Sequence, residues 1–364
     1  MTMRNFTIQT PRGPRSIGDS SPVFVVAELS GNHNQDKQRA LALIDEAARA
    51  GADAIKLQTY TADTLTIDSD KPYFRIRVDG AWHGDTLYEL YQKAHTPWEW
   101  HRELMERAAS HGLPLFSTPF DETAVDFLEE LGVSLYKVAS LEIRDVALLQ
   151  RIGQTGKPVV ISRGASTIAD IELALATLRA AGASDVVVLH CVSAYPALPR
   201  EMNLRTIPDI AARFGVISGL SDHSLGVTVP VLSVGLGARV IEKHLTLRRA
   251  DGGPDAEFSL EPEEFRAMCQ GVRDAEAALG SPHYFADGRE AQISEYRRSL
   301  FVVKDVAAGE LLTREHVRAI RPGHGISPAY LPLVLGRKAT VALERGTPLA
   351  FSHVEGLDPE RKSA

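Results

Sequence analysis

Cysteine is scarce. Only Cys191 and Cys269 occur in 364 residues, so no disulfide framework is available and a reducing compartment is expected. Long apolar runs are missing as well. The N-terminal stretch MTMRNFTIQTPRGPRS has no hydrophobic core of signal-peptide length, and no later run approaches a membrane span. The expected location is therefore cytoplasmic, with no membrane partner. Nor is there an excess of basic charge: the formal net charge of −7 argues against a general nucleic-acid-binding surface. No GxGxxG, Walker or zinc-finger spacing is present. What remains is an ordinary globular composition, 44% hydrophobic and 24% charged, in a chain long enough for one large domain and a small one.

After a polar, Pro/Gly-marked leader (residues 1–21), read as a short strand or hairpin, one pattern repeats. A β-branched or apolar run ends in polar residues and is followed by an Ala/Leu/Glu/Arg-rich helical stretch. Strands are expected near Val23–Ala27, Ala54–Leu57, Pro114–Ser117, Leu135–Ala139, Pro158–Ile161, Asp185–Leu189, Val216–Leu220 and Arg239–Lys243. Helical patterns include Gln38–Ala50, Pro97–Ser110, Thr123–Leu131, Ile168–Ala181 and Pro262–Leu279. Eight such units over roughly 260 residues predict an α/β fold of the closed (β/α)8 TIM-barrel type rather than an open doubly wound sheet. Two stretches break the repeat. Tyr60–His95 is too long for a βα loop and carries Tyr73, Phe74, Trp82, Tyr88 and Tyr91, which suggests a substrate-side excursion. Beyond residue 280, short apolar runs alternate with Gly-centred turns. We expect the barrel domain to span 1–280, a linker 281–297, and a small β-rich domain 298–364.

Barrel enzymes carry their chemistry at the C-terminal strand ends. Those ends read Glu28, Lys56 and Gln58, Thr118, Lys137 and Ser140, Ser162, His190, Ser221 with His223, and Glu242 with His244. Period-two alternation sets the partners. If His244 faces inward so does Glu242, and Lys243 faces the helices; if His223 faces inward so does Ser221, and Asp222 does not. The last two strands lie about 4.8 Å apart, so the two imidazoles can converge on one ion, and barrel closure brings Glu28 within reach. Two histidines and a carboxylate suit a divalent Lewis acid: manganese, magnesium, cobalt or zinc. Lys56 and Lys137 flank Thr118, with Ser162 and Ser221 nearby, as an anion site for phosphate or carboxylate. A Schiff-base lysine is the alternative. Cys191 lies near a strand end without a base and orienter, so no nucleophilic role is assigned to it.

At this point the motifs resemble a known family. AELSGNHN (27–34), AIKLQTY (54–60), FSTPFD (116–121), YKVAS (136–140), GLSDHSLG (219–226), IEKHLTL (241–247) and GGPDAEFSLEP (252–262) are similar to the sialic acid synthases. The tail SLFVVKDVAAGE…RPGHGISP…LGRKAT resembles the small antifreeze-like (SAF) domain attached to those barrels. SGNHN, DTLYELYQKAHTPWEWH and SAYPA look most like the pseudaminic acid branch. The resemblance implies condensation of phosphoenolpyruvate with an N-acetylated amino sugar, releasing phosphate by C–O cleavage. It implies that His223 and His244 bind a metal, manganese first among candidates with magnesium or cobalt possible, and that Glu28 stands beside it. Glu28 and Glu242 are then candidates for metal support or proton transfer. Lys56, Thr118, Lys137, Ser140, Ser162 and Ser221 would hold phosphoenolpyruvate, while Ser193, Tyr195 and Asp255 would contact the sugar. Arg321 matches an arginine inserted into the partner subunit's active site, which implies a domain-swapped homodimer.

Three positions depart from the family pattern: Arg163 where Thr is usual, Gln35 where Gly follows NHN, and Arg248 where Asp follows TL. Arg163 can add charge to the phosphate site or reshape the pocket. The open alternatives are N-acetylneuraminate or legionaminic acid synthesis by the same chemistry and, from a different class, a non-catalytic carbohydrate- or ice-binding protein.

Overall fold

The computed structural model describes residues 4–77, 84–285 and 287–358. They divide into two compact units, Met1–Gly280 and Ser281–Ala364. In the first, an antiparallel hairpin of β1 (Asn5–Thr10) and β2 (Gly13–Gly18) precedes eight parallel strands. These are β3 (Phe24–Glu28), β4 (Ala54–Thr59), β5 (Leu115–Pro119), β6 (Tyr136–Val138), β7 (Val159–Arg163), β8 (Val186–Cys191), β9 (Ile217–Asp222) and β10 (Val240–His244). They close in sequence order, with β10 hydrogen-bonded to β3. This is the (β/α)8 barrel that the repeat predicts. Among the described residues, no helix is long and apolar enough to cross a membrane.

The connecting helices form for local reasons. Lys37–Ala50 begins at Asp36, whose carboxylate accepts from the Gln38 and Arg39 amides. It buries Ala40, Leu43, Ile44 and Ala47 at helical spacing, and it ends at Gly51 with φ +94°. Several strands run further than their apolar runs, β4 to Thr59 and β5 to Pro119 among them. β7, β8 and β9 each end two residues past the predicted limit, because Ser162, Arg163, His190, Cys191 and Ser221 continue the register pairing although they are not aliphatic.

Strand alternation sorts the side chains. Phe24, Val26, Ala54, Phe116, Leu135, Val160, Val187, Leu189, Ile217 and Val240 form a buried cluster inside the barrel, and Phe6, Ile8 and Ile17 of the hairpin belong to it. The hairpin therefore plugs the N-terminal end. Stepping two residues along each strand from these positions leads to Glu28, Lys56, Thr118, Lys137, Ser162, Cys191, Ser221, Glu242 and His244. The intervening residues Val25, Ala27, Ile55, Leu57, Leu220 and Ile241 pack in a separate cluster between strands and helices.

The excursion between β4 and β5 holds two helices, Ala62–Leu65 and Leu87–Ala94, the second started by a Thr86–Glu89 capping box. Trp82 lies outside the described residues. In the second unit, Leu300, Val302, Val306, Leu312, Val317, Val334, Leu343 and Leu349 form the core. Regular strand is confined, among the described residues, to β11 (Ser299–Val302) and β12 (Val317–Ile320). The rest pairs through isolated bridges such as Val306 to Leu343 and Ala339 to Val354, interrupted by turns at Gly309, Gly336 and Gly346. Residues 288–294 are helical.

Gly219 occupies an inward position in β9 where a Cβ would stand 2.2 Å from the Val240 carbonyl oxygen and 2.7 Å from Leu189 Cδ2. Gly219→Ala is expected to destabilise the barrel by about 2 kcal/mol, read as a lower urea midpoint with an unchanged m-value.

Candidate active site at the inner strand ends

The inward polar residues surround a cavity of about 360 Å³. Its wall includes Lys56, Thr118, Lys137, Ser140, Ser162, Ser221, His223, Glu242 and His244, joined by Tyr195 and Asp255. Seven different strands or the loops that follow them thus converge on one volume, which a barrel achieves because all its strands end on one face.

A buried charge cluster lies at the floor. Lys56 Nζ is 2.5 Å from Glu28 Oε2 and 3.6 Å from Glu242 Oε1, and it donates to Thr118 Oγ1 at 3.1 Å. Burial opposes the Lys56 charge, but Glu242 and Glu28 outweigh it and raise the ammonium pKa. Burial likewise opposes ionisation of Glu242, yet Lys137, Lys56 and His223 bring its pKa below the usual range, and Ser221 Oγ donates to it at 3.2 Å. Burial pushes Lys137 down. Ser162 Oγ is buried with no hydrogen-bond partner among the described residues, an unspent donor on the cavity that Lys56 and Lys137 also line.

Glu28 departs from the expected arrangement. It is fully buried, with its oxygens on Lys56 and on Gln58 Nε2 at 3.0 Å. Its partners are thus on β4, and burial raises its pKa. Among the described residues, the carboxylate within 4.0 Å of His244 is instead Asp255.

The imidazoles do converge: the His223 and His244 rings are 5.3 Å apart. His223 Nδ1 is engaged by the Val192 carbonyl at 3.1 Å, and His244 Nδ1 by Ser30 Oγ at 3.2 Å. Anchoring each ring through Nδ1 leaves Nε2 as the nitrogen available to a ligand. Burial, then the His223 and Lys56 charges, hold His244 neutral. Two imidazoles anchored from behind, with Asp255 4.0 Å from His244 and Glu242 on the same cavity wall, suit a divalent cation.

Behind this face Lys243 points outward and pairs with Asp222 at 2.6 Å, both fully buried. The same ammonium donates to the Ser224 carbonyl, and the Ser224 amide donates to Asp222 Oδ1 at 3.0 Å. The pair therefore holds the 222–224 turn that presents His223.

Other expected residues are distributed as follows. Ser193 does not line the cavity; its Oγ is 3.0 Å from Ser140 Oγ. Tyr195 packs at a tilt against the rings of His223 and Phe258. His190 faces away, toward the Met202 carbonyl. Arg321 belongs to the second unit, where it is exposed. Of the excursion aromatics among the described residues, Tyr60 and Tyr91 line the cavity, whereas Tyr73 is 87% exposed, Phe74 lies off the lining, and the Tyr88 hydroxyl donates to Asp63 at 3.1 Å. The excursion contributes mainly Leu65, Ile76, Leu87 and Leu90. Gln35, at φ +56°, donates from Nε2 to the Lys93 and His95 carbonyls at 3.0 and 2.7 Å, which pins the end of its second helix. Arg248 is exposed and pairs with Asp251 at 2.7 Å.

Among the lining residues to which the sequence reading gave no role are Tyr60, Phe258 and Glu142. Glu142 Oε2 is buried without a partner, and burial raises its pKa to about 7. It follows YKVAS by two positions, but in a loop with no periodicity to aim it. Cys191 Sγ also lines the cavity, 3.8 Å from His223 Nδ1.

Comparison with known proteins adds to this geometry. The NeuB family model matches residues 43–284. The chain belongs to the NeuB family. A SAF domain matches residues 297–355. Pseudaminic acid synthase from Campylobacter jejuni is 41% identical over 91% of this chain and 96% of its own length. N,N'-diacetyllegionaminic acid synthase from Legionella pneumophila is 37% identical over 94% and 98% respectively. Among solved structures, N-acetylneuraminic acid synthetase from Leptospira borgpetersenii superposes with TM-score 0.70 at 31% identity, covering 80% of this chain and 95% of that one. As a NeuB-family member, the chain is an enzyme of the sugar-acid synthase class.

Two measurements test the site's electrostatics. Asp222→Ala, which strands a buried ammonium, is expected to cost about 3 kcal/mol in urea unfolding, while the paired Asp222→Leu/Lys243→Met change costs less. A 13C titration of the Glu142 carboxyl is expected to show a midpoint near 7. Lys137 lowers that value, so Lys137→Met should move the midpoint upward.

Proposed function

We propose that this NeuB-family enzyme is a pseudaminic acid synthase, condensing phosphoenolpyruvate with 2,4-diacetamido-2,4,6-trideoxy-L-altrose. The observation that carries the reading is the cavity floor, where Lys56, Lys137 and the partnerless Ser162 hydroxyl offer a dry, cationic, donor-rich seat for a phosphorylated carboxylate. A volume of about 360 Å³ lies within the range of small-molecule sites. The identity to the Campylobacter synthase over almost its whole length supports the choice of sugar. So does the wall of Leu65, Ile76, Leu87, Leu90 and Tyr91, which suits methyl and acetyl groups.

In this reading Lys56, Thr118, Lys137, Ser140, Ser162 and Ser221 hold the phosphate and carboxylate of phosphoenolpyruvate. Its third carbon is thereby oriented toward the sugar aldehyde. His223 and His244 hold a divalent cation, manganese in the first instance, which when bound supplies Lewis-acid polarisation of the aldehyde oxygen. Tyr195 and Asp255 face the sugar, with Ser193 supporting Ser140. Attack by carbon three leaves a cationic centre at carbon two, and water captures it before phosphate departs with its bridging oxygen. Glu242, held ionised between two lysines, is placed to stabilise that positive charge. Glu142 is placed to exchange a proton at neutral pH. Glu28 keeps Lys56 charged and oriented. Arg321 completes the site of the partner subunit in a domain-swapped homodimer, and the enzyme works in the cytoplasm.

Phosphate release with manganese, measured across the diacetamido altrose, its legionaminic counterpart and N-acetylmannosamine, is expected to be selective for the first. Turnover of another sugar would reassign the substrate. His223→Ala is expected to abolish metal-dependent turnover, and unchanged kinetics would remove the metal assignment. Mixing inactive Arg321→Ala and His223→Ala chains is expected to restore partial activity if the arginine acts across subunits.

A further inference from the structure

Two consecutive residues at the end of β7 brace the loop that carries Ser193 and Tyr195. Ser162 faces the cavity, so Arg163 faces outward, and it does not line the cavity. The side chain is half-buried, and no carboxylate lies within ion-pair distance of it among the described residues. Its Nε–H donates to His190 Nδ1 at 3.3 Å. His190 is fully buried, and its Nε2–H donates to the Met202 carbonyl at 2.5 Å. A guanidinium only donates and a carbonyl only accepts, so both bonds are satisfied by one tautomer, neutral imidazole with its hydrogen on Nε2. Burial first, and the Arg163 charge in addition, keep that ring neutral.

Gly164 closes the other side. A Cβ there would stand 2.2 Å from Ser193 Oγ and 3.1 Å from Ser140 Cβ. The 192–202 loop is thus held at Ser193 by the approach of Gly164 and at Met202 by the Arg163–His190 relay. Between these points Tyr195 packs at a tilt against His223 and Phe258 with ring centroids 4.6 and 5.2 Å away.

We propose that Arg163 is a positioning residue for sugar recognition, fixing the 192–202 loop through His190 and so setting where Tyr195 meets the second substrate. This rests on the reading of Tyr195 as sugar-facing. The outward direction of the side chain separates it from the phosphate seat on the opposite face of the same strand.

The test uses the full-length enzyme with Arg163→Met, which keeps length but removes the donor, and Arg163→Lys, which restores one. Arg163→Met is expected to raise KM for the sugar roughly fivefold to tenfold, with KM for phosphoenolpyruvate changed by less than about twofold. Arg163→Lys is expected to recover most of the loss. Nitrogen-15 spectra, with His190 assigned through His190→Gln, are expected to show the Nε2–H tautomer held by the Met202 carbonyl in every variant, with the Nδ1 resonance shifted in Arg163→Met, where its hydrogen bond is lost, and near the parent position in Arg163→Lys. An equal rise in KM for phosphoenolpyruvate would assign Arg163 to the phosphate and overturn the proposal. An Nδ1 resonance unchanged in Arg163→Met would overturn it as well. The spectra require no turnover, so they report on the relay even if no amino sugar is consumed and the proposed activity fails.

Discussion

The site depends on ionic groups that neutralise one another where water cannot. Glu28, Lys56, Glu242 and Lys137 are all buried at the inner strand ends, and isolating any one of them there would cost several kcal/mol. Two acids and two bases balance formally, but Lys56 takes both close carboxylate contacts while Lys137 donates to the Val138 carbonyl at 3.0 Å. That asymmetry leaves one ammonium without a close acid and Ser162 without a partner on the same floor. An anion entering the cavity would meet donors already desolvated and already in position, which is the condition under which electrostatic stabilisation is strongest.

The outer face of the same strands solves a complementary problem. Asp222 and Lys243 interleave with inward Ser221 and Glu242, so one short stretch of each strand carries chemistry on one side and an ionic clamp on the other. The clamp fixes the turn bearing His223, and the Nδ1 partners of His223 and His244 fix the rings. Precision at the imidazoles is thus set by groups that never touch the cavity.

Much of this was legible in the sequence, because a strand's period of two is unforgiving. Once one residue of a strand faces inward, the rest follow, which is how Glu242 and His244 were separated from Lys243 and how Ser221 was separated from Asp222. The strand repeat likewise identified a closed barrel. Polar strand ends were harder, since hydrogen-bond registers continue through Ser162–Arg163 and His190–Cys191 after the apolar signal stops. Loops were hardest. Nothing in the spacing of the Tyr60–His95 segment tells that its aliphatic residues face the cavity while Tyr73 faces solvent. Nothing around Glu142 tells that its carboxyl is buried. Glu28 was placed at its strand end, but its ion pair with Lys56 was not foreseen, because side-chain pairing across β3 and β4 depends on a reach that register alone does not give.

The hairpin that plugs the base of the barrel has a consequence for traffic. With Phe6, Ile8 and Ile17 filling one end, the described residues leave the cavity its approach from the strand-end side, beside exposed Tyr195 and Leu141, the latter 73% exposed. Lys137 and Ser162, only 2% exposed, sit at the cavity's far end. Whatever occupies the deep seat must arrive before anything settles at that approach, and it is locked in while the approach is filled. The order of arrival and departure is therefore that of a stack, last in and first out, imposed by a short N-terminal ribbon that takes no part in the chemistry.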